Sequence, residues 1–156
     1  MDHVGLAPGA LTVAAAVADQ HDDWCRLFSA YRAVAGLPDD PVAVETVWSW
    51  IRSPAHATGC LLASIDREPV GFAHLRVFER PVTATTGLWL DDLYVAPSAR
   101  GRGVARALIA QVRELAADGG QDVVRWTTRE SSDEARRLYD SLATRAGVVV
   151  YNAEPQ

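Results

Sequence analysis

The segment Arg100-Gly101-Arg102-Gly103-Val104-Ala105 combines two glycines with two arginines directly before a helical pattern. A loop that enters a helix presents backbone N–H groups without partners inside the helix, and such groups bind anions. Glycine lets the main chain approach a bulky anion closely and adopt dihedrals that other residues resist. Arginine adds charged donors that suit phosphate oxygens. We therefore expect this loop to bind phosphate, in particular the diphosphate of a cofactor.

An ordinary arginine-rich turn is the alternative, because two glycines within six residues also arise by chance. The loop is not a P-loop, since no Lys-Ser/Thr pair closes it, and it lacks the full glycine pattern of dinucleotide-binding folds. Its neighbours favour a binding role. The strand-like run Leu88–Pro97 precedes it with Asp91 and Asp92 in the middle, and apolar residues follow at helical spacing.

The elements that would position this loop are predicted from apolar periodicity and turn residues. Strands are predicted at Leu11–Val17, Cys60–Ile65, Val70–Phe78, Leu88–Pro97, Val123–Thr127 and Gly147–Tyr151. Helices are predicted after Asp19–Asp23 up to Gly36, at Pro41–Ile51, from Val104 to Gly119-Gly120 and from Ser131 to about Ala143. This order indicates an α/β fold with a mixed sheet. We expect one domain over residues 1–156, with a tail at residues 1–10.

Composition limits the classes of function. The net charge of −5 argues against a general nucleic-acid binder, and no apolar run is long enough to span a membrane. Cys25 and Cys60 are isolated, in neither metal nor redox spacing, and the first residues do not read as a signal peptide. We therefore expect a cytoplasmic protein without nucleic-acid or membrane partners. Residues 1–95 carry a net charge of −6 and residues 96–156 of +1, which suits a cationic substrate and an anionic cofactor respectively.

Two stretches resemble the motifs of one family. The run Asp92-Leu93-Tyr94-Val95 through Arg100-x-x-Gly103-x-Ala105 resembles the acetyl-CoA-binding motif of the GNAT superfamily of N-acetyltransferases. Ser132–Tyr139 resembles its second motif, a helix that ends in Leu-Tyr. The order of elements from about Leu11 to Tyr151 is also similar, so the resemblance covers nearly the whole chain. It implies a mixed, mostly antiparallel sheet of about six or seven strands and about four helices, with the fourth and fifth strands splayed apart.

The resemblance also implies the chemistry, which is transfer of an acetyl group from acetyl-CoA to a primary amine in a ternary complex, without a metal. In related enzymes the fourth strand and the loop after it hold the cofactor. The matching residues here are Leu93, Tyr94, Val95, Arg100, Gly101, Arg102, Gly103, Val104 and Ala105. A main-chain N–H of that strand, freed by a bulge, would stabilise the charge that develops on the thioester oxygen.

Three side chains match positions that act in the reaction. Tyr139 is the candidate acid for the leaving thiolate; the alternative is a place on the apolar face of an amphipathic helix. Asp91 and Asp92 are the candidates for binding and deprotonating the amine, directly or through a water; the alternative is surface ion pairing. In a regular strand their side chains point to opposite faces, and a bulge would change this alternation. Polyamine-type relatives carry Glu-Asp here, so the shorter Asp91 favours a bridging water.

Other candidates have structural alternatives. Ser132 stands where the family usually has a cofactor-binding Asn, but Ser131 and Glu134 also form a capping box that would start the helix. His74 is expected in the core of the sheet. Trp24, Phe28 and Tyr31 form either a core face or the wall of a substrate pocket. Trp48 and Trp50 cannot share one helix face, so one of them is a candidate for contact with a substrate or with a second copy in a homodimer.

These patterns together predict an acetyl-CoA-dependent N-acetyltransferase that acts on a small cationic amine. The amine is expected to be a polyamine, an amino-acid-like compound or an aminoglycoside-like compound. A protein N-terminus is the lesser alternative. The alternative from another class is a sensor or partner-binding module that binds acetyl-CoA with little or no turnover.

Overall fold

A computed structural model describes residues 9–156, so most of the expected N-terminal tail lies outside the described residues. The elements are β1 (Leu11–Ala15), α1 (His21–Val34), α2 (Pro41–Arg52), β2 (Gly59–Ile65), β3 (Glu68–Arg80), β4 (Thr85–Val95), α3 (Val104–Asp118), β5 (Val124–Arg125) and α4 (Asp133–Leu142). The predicted α/β class is confirmed. The chain divides into two compact units, one ending at Trp126 and one beginning at Thr127.

The sheet of the first unit has the order β1-β2-β3-β4-β5. Its neighbours are antiparallel except for the parallel pair β4–β5, as expected for a mixed and mostly antiparallel sheet. β5 pairs only with Leu88 and Trp89 of β4. From Leu90 to Val95, β4 therefore has no partner strand on that side among residues 9–156. The predicted separation of the fourth and fifth strands is confirmed.

The expected strand at Gly147–Tyr151 is wrong, and the described residues form five strands instead of six or seven. Val148, Val149, Val150 and Tyr151 have no regular structure and are between 63% and 88% exposed. Consecutive valines have a high strand propensity, but a strand forms only where a neighbour accepts and donates its ladder hydrogen bonds. The second unit contains α4 and no strand that could pair with this run.

Both faces of the sheet are covered. β2 is buried at each position from Cys60 to Ile65, and consecutive buried residues on a strand require packing on its two sides. One face carries an aromatic cluster from α1, α2 and the sheet, with Trp24 stacked on Phe28 at 4.9 Å and Phe28 edge-on to Phe72 at 5.9 Å. The other face is covered by the apolar side of α3, formed by Val104, Leu108, Ile109, Val112 and Ala116.

The start of α2 follows directly from the sequence. Asp40 caps the helix by accepting a hydrogen bond from the Ala43 N–H at 3.0 Å, and Pro41 occupies the first helical position. Trp48 points into the aromatic cluster, whereas Trp50 is 39% exposed and stacks on His56. Within residues 9–156, the helices are too short or too polar to cross a lipid bilayer.

Candidate active site

β4 contains a bulge at Asp91. The pairing with β3 passes from Leu75–Leu90 to His74–Asp92, so β4 has one extra residue at this point. The Arg76 Nε donates to Asp91 Oδ2 at 2.9 Å, and the His74 Nδ1 lies 2.9 Å from Asp92 Oδ2. Because His74 and Arg76 are two residues apart in β3, they share one face of the sheet. The bulge therefore brings both aspartates to the same face, which regular alternation would have prevented.

Asp92 is held by side chains from two different elements. In addition to the contact with His74, its Oδ1 accepts a hydrogen bond from the Tyr31 hydroxyl of α1 at 2.8 Å. His74 is only 2% exposed and in turn receives a hydrogen bond at 3.0 Å from the indole Nε1 of Trp24, which is fully buried. The Asp92 side chain remains 30% exposed. The Asp92 carboxylate is therefore held in one position and remains partly accessible to solvent, on the face of the sheet against which α1 packs.

The Trp24 contact determines which nitrogen of His74 carries the proton. An indole N–H can only donate, so the His74 Nε2 must be the acceptor and carries no proton. The proton of the neutral ring therefore lies on Nδ1, where it is donated to Asp92 Oδ2. With Nε2 engaged by Trp24, His74 orients the carboxylate and offers no free basic nitrogen to a substrate.

The same contacts keep Asp92 ionised. Burial raises the pKa of Asp92, but the hydrogen bonds from His74 and Tyr31 more than offset this, so its pKa lies below the ordinary value. A carboxylate of low pKa holds a negative charge at neutral pH. This group is suited to binding a cation.

Tyr31→Phe should reveal the hydrogen bond to the charged carboxylate. The ring packing against Phe72 and Tyr94 is kept. We expect the free energy of unfolding at pH 7 to fall by about 1.5 kcal/mol, the lower end for hydrogen bonds to charged groups, because water can replace the hydroxyl at a partly exposed carboxylate. Urea unfolding measures this change in the free energy of unfolding. Tyr151→Phe, at a position that is 88% exposed, is the control.

The pH dependence of this difference has a definite sign. The depressed pKa of Asp92 contributes stability that is fully present above the unfolded value of about 3.9 and is lost as the pH falls through the lower folded value. In Tyr31→Phe the pKa of Asp92 in the folded protein is higher than in the unsubstituted protein. The variant therefore loses less free energy of unfolding on acidification, and the difference between the two proteins becomes smaller. A gap between the two proteins that stays constant from neutral to acid pH would contradict the assignment.

The loop after β4 has the features of an anion site. Gly101 and Gly103 adopt φ angles of 73° and 80°, in the left-handed region that favours glycine, and a Cβ on either would meet no atom within 4 Å. No side chain caps α3, and its first turn contains no acidic residue. The N–H groups of Val104 and Ala105 precede the first helical bond, which runs from Ala107 to Gly103. The start of α3 thus has the main-chain donors that bind anions at helix N-termini.

The predicted cofactor residues of β4 and the loop are continuous along the chain. Leu93, Tyr94 and Val95 form the end of β4 that has no partner on the β5 side among the described residues. Tyr94 buries its ring against Tyr31 and Phe72, which leaves its main chain as the part available to a ligand. The Arg100 Nε donates to the Val95 carbonyl at 3.3 Å. Arg102 lies exposed between the two glycines.

The second unit contains the remaining predicted residues. Ser132 is the N-cap of α4, but its side chain makes no capping hydrogen bond, so the expected Ser131–Glu134 capping box is wrong. The helix begins at Asp133, one residue later than a cap at Ser131 would place it. Burial raises the pKa of the Tyr139 phenol above its ordinary value. The phenol therefore stays protonated at neutral pH, which is the form that an acid requires.

The sequence patterns do not indicate that Tyr31, His74 and Trp24 hold Asp92 in place. His74 was expected in the core and is buried, yet it also orients a carboxylate. A signal was available for His74, because it faces the Asp91-Asp92 pair once the β3–β4 hairpin is aligned. The partner in α1 lies 61 residues from Asp92 and has no comparable local signal.

Comparison with known proteins identifies a family. The model of the "Acetyltransferase (GNAT) family" matches residues 21–143. A D-amino-acid N-acetyltransferase of Saccharomyces cerevisiae is 28% identical over 130 residues, which cover 82% of this chain and 81% of the yeast protein. A thialysine N-epsilon-acetyltransferase of Caenorhabditis elegans is 32% identical over 83 residues, which cover 52% of this chain and 50% of the relative.

Solved structures share the fold. A ribosomal-protein-alanine N-acetyltransferase from Brucella melitensis aligns with a TM-score of 0.81 and 23% identity, over 93% of this chain and 99% of that one. An aminoglycoside N-acetyltransferase in complex with CoA aligns with a TM-score of 0.78 and 16% identity, over 95% and 97% of the two chains. At these identities the alignments establish the architecture alone.

Proposed function

Because the chain belongs to the GNAT acetyltransferase family and is an acyltransferase, we propose that it transfers the acetyl group of acetyl-CoA to the primary amine of a small, amino-acid-like molecule. The observation that carries the proposal is the arrangement along β4. An anchored carboxylate at Asp92 is followed by a strand edge without a partner strand and then by the uncapped start of α3. This arrangement places a site for a cation at Asp92 and a site for an anion at the start of α3. The main chain of Leu93–Val95 lies between them along the chain and has no partner strand on the β5 side among the described residues.

Acetyl-CoA fits the second half of this arrangement. The N–H groups at the start of α3, with Arg100 and Arg102 beside them, suit its diphosphate, and the main chain of Leu93–Val95 suits an extended amide-bearing arm. The open space at Gly101 and Gly103 lets phosphate reach the backbone. When bound, the co-substrate supplies a thioester acetyl group. Ser132 would add one hydrogen bond in place of the two ends of the family's amide.

The amine substrate fits the first half of this arrangement, at the Asp92 carboxylate. An alkylammonium with a pKa of roughly 10 has no lone pair and must lose a proton before it can attack. The low pKa of Asp92 makes this carboxylate a strong partner for the ammonium and a weak base. We therefore assign Asp92 to binding the ammonium and to holding a water that carries the ammonium proton to solvent. Asp91, paired with Arg76 at the surface, has a secondary role at the same face.

The transfer step is balanced by two further groups. The amine lone pair forms the new C–N bond, and a β4 main-chain N–H in Leu93–Val95 stabilises the negative charge that develops on the carbonyl oxygen. The C–S bond breaks, and the departing thiolate takes its proton from the Tyr139 hydroxyl. The nitrogen loses its second proton to solvent as the amide forms, and the phenolate of Tyr139 takes a proton back from solvent. The place of Tyr139 in the second family motif supports this role, and burial keeps its phenol in the protonated form.

An amino-acid-like acceptor is favoured among the three expected classes. The relatives from yeast and from Caenorhabditis elegans are named for D-amino acids and for thialysine, and both of these compounds carry a carboxylate as well as an amine. Arg76 lies on the same face as Asp92, has a side chain that is 40% exposed, and suits a carboxylate. Polyamines lack this group and would leave Arg76 paired with Asp91 alone.

Gly103→Ala should weaken acetyl-CoA binding. The alanine would carry a Cβ into the approach to the α3 N–H groups and would strain a left-handed backbone by about 1–2 kcal/mol. We expect the Kd for acetyl-CoA to rise about tenfold, the equivalent of one charge-assisted hydrogen bond. Calorimetric titration of the folded variant measures this affinity.

Gly120→Ala is the matched control. Gly120 lies just beyond the other end of α3, has a φ of 71°, and likewise has no atom within 4 Å of a built Cβ. Both variants should lose a similar amount of thermal stability, because the backbone strain is alike. An equal loss of cofactor affinity in the two variants would show that strain, and not the anion site, is responsible.

The function is tested by free-thiol release from acetyl-CoA with a panel of amines. The panel holds D- and L-amino acids, thialysine, polyamines, aminoglycosides and peptides with free N-termini. Highest kcat/KM with an amino acid supports the proposal, while preference for a polyamine, aminoglycoside or peptide replaces the substrate class. If acetyl-CoA raises the melting temperature but no amine is acetylated, the chain is a cofactor-binding module.

A further inference from the structure

A second cluster of reactive side chains lies where α1 meets α2, apart from the residues assigned to acetyl transfer. His21 and Cys25 are one helical turn apart on α1, and Glu45 reaches them from α2. The His21 Nε2 is 2.7 Å from Glu45 Oε1 and 3.4 Å from Cys25 Sγ, and the Cys25 Sγ is 3.9 Å from the same carboxylate oxygen. An imidazole nitrogen, a thiol and a carboxylate thus converge on one point.

The separations approach those of a tetrahedral metal centre. Bond lengths of about 2.3 Å to sulfur and about 2.0–2.2 Å to nitrogen or oxygen place the ligand atoms about 3.4–3.6 Å apart around a zinc ion. The contacts to sulfur lie near this range, at 3.4 and 3.9 Å. Only the His21–Glu45 contact has to open, and Glu45 can move because its side chain is 59% exposed.

The residues around His21, Cys25 and Glu45 also favour a metal ion at this position. The His21 Nδ1 lies 2.9 Å from Asp22 Oδ1, an arrangement that orients Nε2 toward the other two ligands, as a carboxylate commonly does for a metal-binding histidine. Among the described residues, no arginine forms an ion pair with Asp22 or Glu45.

We propose that His21, Cys25 and Glu45 bind a zinc ion, with Asp22 as the orienting partner of His21 and with a fourth position open to water. Zinc accepts this combination of sulfur, nitrogen and oxygen ligands. On binding, Cys25 releases its proton to solvent and coordinates as the thiolate. The proposal does not depend on the acetyl-transfer assignment, because none of the four residues has a role in that reaction.

A metal at this position would tie α1 to α2. The His21 ring packs edge-on against Trp48 at 5.4 Å, and Trp48 lies 5.1 Å from Trp24, the residue that fixes the tautomer of His74. Zinc would therefore restrain the helix that also carries Tyr31. The sequence offered no metal spacing, because two ligands lie one turn apart on α1 and the third comes from the next helix.

The test uses the full chain after treatment with a chelator. Titration with Co²⁺, followed by absorption, should give one bound ion with a near-ultraviolet thiolate-to-metal charge-transfer band. Zn²⁺ affinity is measured by competition with a chromophoric chelator. Cys25→Ser should abolish the band, and Asp22→Asn should weaken Zn²⁺ binding by about 10- to 100-fold. Cys60→Ser and His56→Ala, at the other cysteine and at a histidine outside the cluster, should change neither readout.

Glu45→Gln provides an independent variant at an exposed position, so that a fold defect in Cys25→Ser cannot decide the result. It should weaken Zn²⁺ binding and remove the rise in melting temperature that Zn²⁺ gives the unsubstituted protein. Absence of Co²⁺ binding would overturn the proposal. It would also be overturned by a charge-transfer band that persists in Cys25→Ser or by a Zn²⁺ affinity that Glu45→Gln leaves unchanged.

Discussion

Asp92→Asn should lower kcat/KM for amine acetylation by about 10²- to 10⁴-fold, the range typical of a lost proton-transfer group. Asparagine can keep the local network, because its carbonyl oxygen accepts from His74 Nδ1 and its amide donates to the Tyr31 hydroxyl oxygen. What is lost is the negative charge that binds the ammonium and holds the water that takes its proton. Initial rates of thiol release measure the effect, with acetyl-CoA affinity expected to stay unchanged.

Asp91→Asn is the neighbouring control. Its carboxylate pairs with Arg76 at the surface, and an exposed ion pair contributes little, about 0–1 kcal/mol. We expect its kcat/KM to change only a few-fold, with the change concentrated in KM because Arg76 is released. Equal losses of kcat/KM in Asp91→Asn and Asp92→Asn would mean that both aspartates contribute their charge to one site at the bulge. Unchanged activity in Asp92→Asn would remove this residue from the reaction.

Much of the fold follows from local patterns. The predicted second helix differs from α2 by one residue at its end, because Asp40 and Pro41 define its start by local chemistry. The strands predicted at Cys60–Ile65 and Val70–Phe78 leave only residues 66–69 between them, and the turn from β2 to β3 is made by Asp66 and Arg67 at positive φ. Caps and turns depend on a few neighbouring residues. They can therefore be read before the fold is known.

The features that local patterns do not indicate depend on partners far apart in the chain. The family resemblance implied a bulge in this strand, but the bulge at Asp91 is a mismatch between β3 and β4, so neither strand alone indicates it. The contact between Tyr31 and Asp92 depends on how α1 lies across the sheet. The run at Val148–Val150 shows the converse, since a strong local preference for strand is not realised in a unit that offers no strand to pair with.

This difference between local and long-range features explains why the cofactor loop could be predicted from the sequence and the acceptor site only in part. The glycines and the uncapped start of α3 are contiguous, and their conformations follow from residue type, with φ of 73° and 80° at the two glycines. The acceptor side is assembled from α1, β3 and β4 across a large separation in sequence. The aspartates themselves were identified by motif, whereas the residues that fix their direction were not.

Tyr139→Phe should lower kcat by about 10²-fold while leaving the Kd of acetyl-CoA unchanged. Phenylalanine keeps the ring and removes only the hydroxyl, so the departing thiolate would have to take its proton from water. The pKa of Tyr139 is raised by burial, which keeps the phenol protonated through the neutral range and delays its ionisation to higher pH. Single-turnover rates with a saturating amine separate this step from substrate binding and product release.

The pH profile distinguishes an acid from a packing residue. In the unsubstituted protein, kcat should decline at alkaline pH as the Tyr139 phenol ionises, above its ordinary value of about 10. The variant should lack this alkaline decline, because it has no group to ionise there. Tyr151→Phe, in the same unit and 88% exposed, should retain both the rate and the decline. If Tyr139→Phe acetylates at the full rate, the residue serves only the apolar side of α4, and water or another group protonates the thiolate.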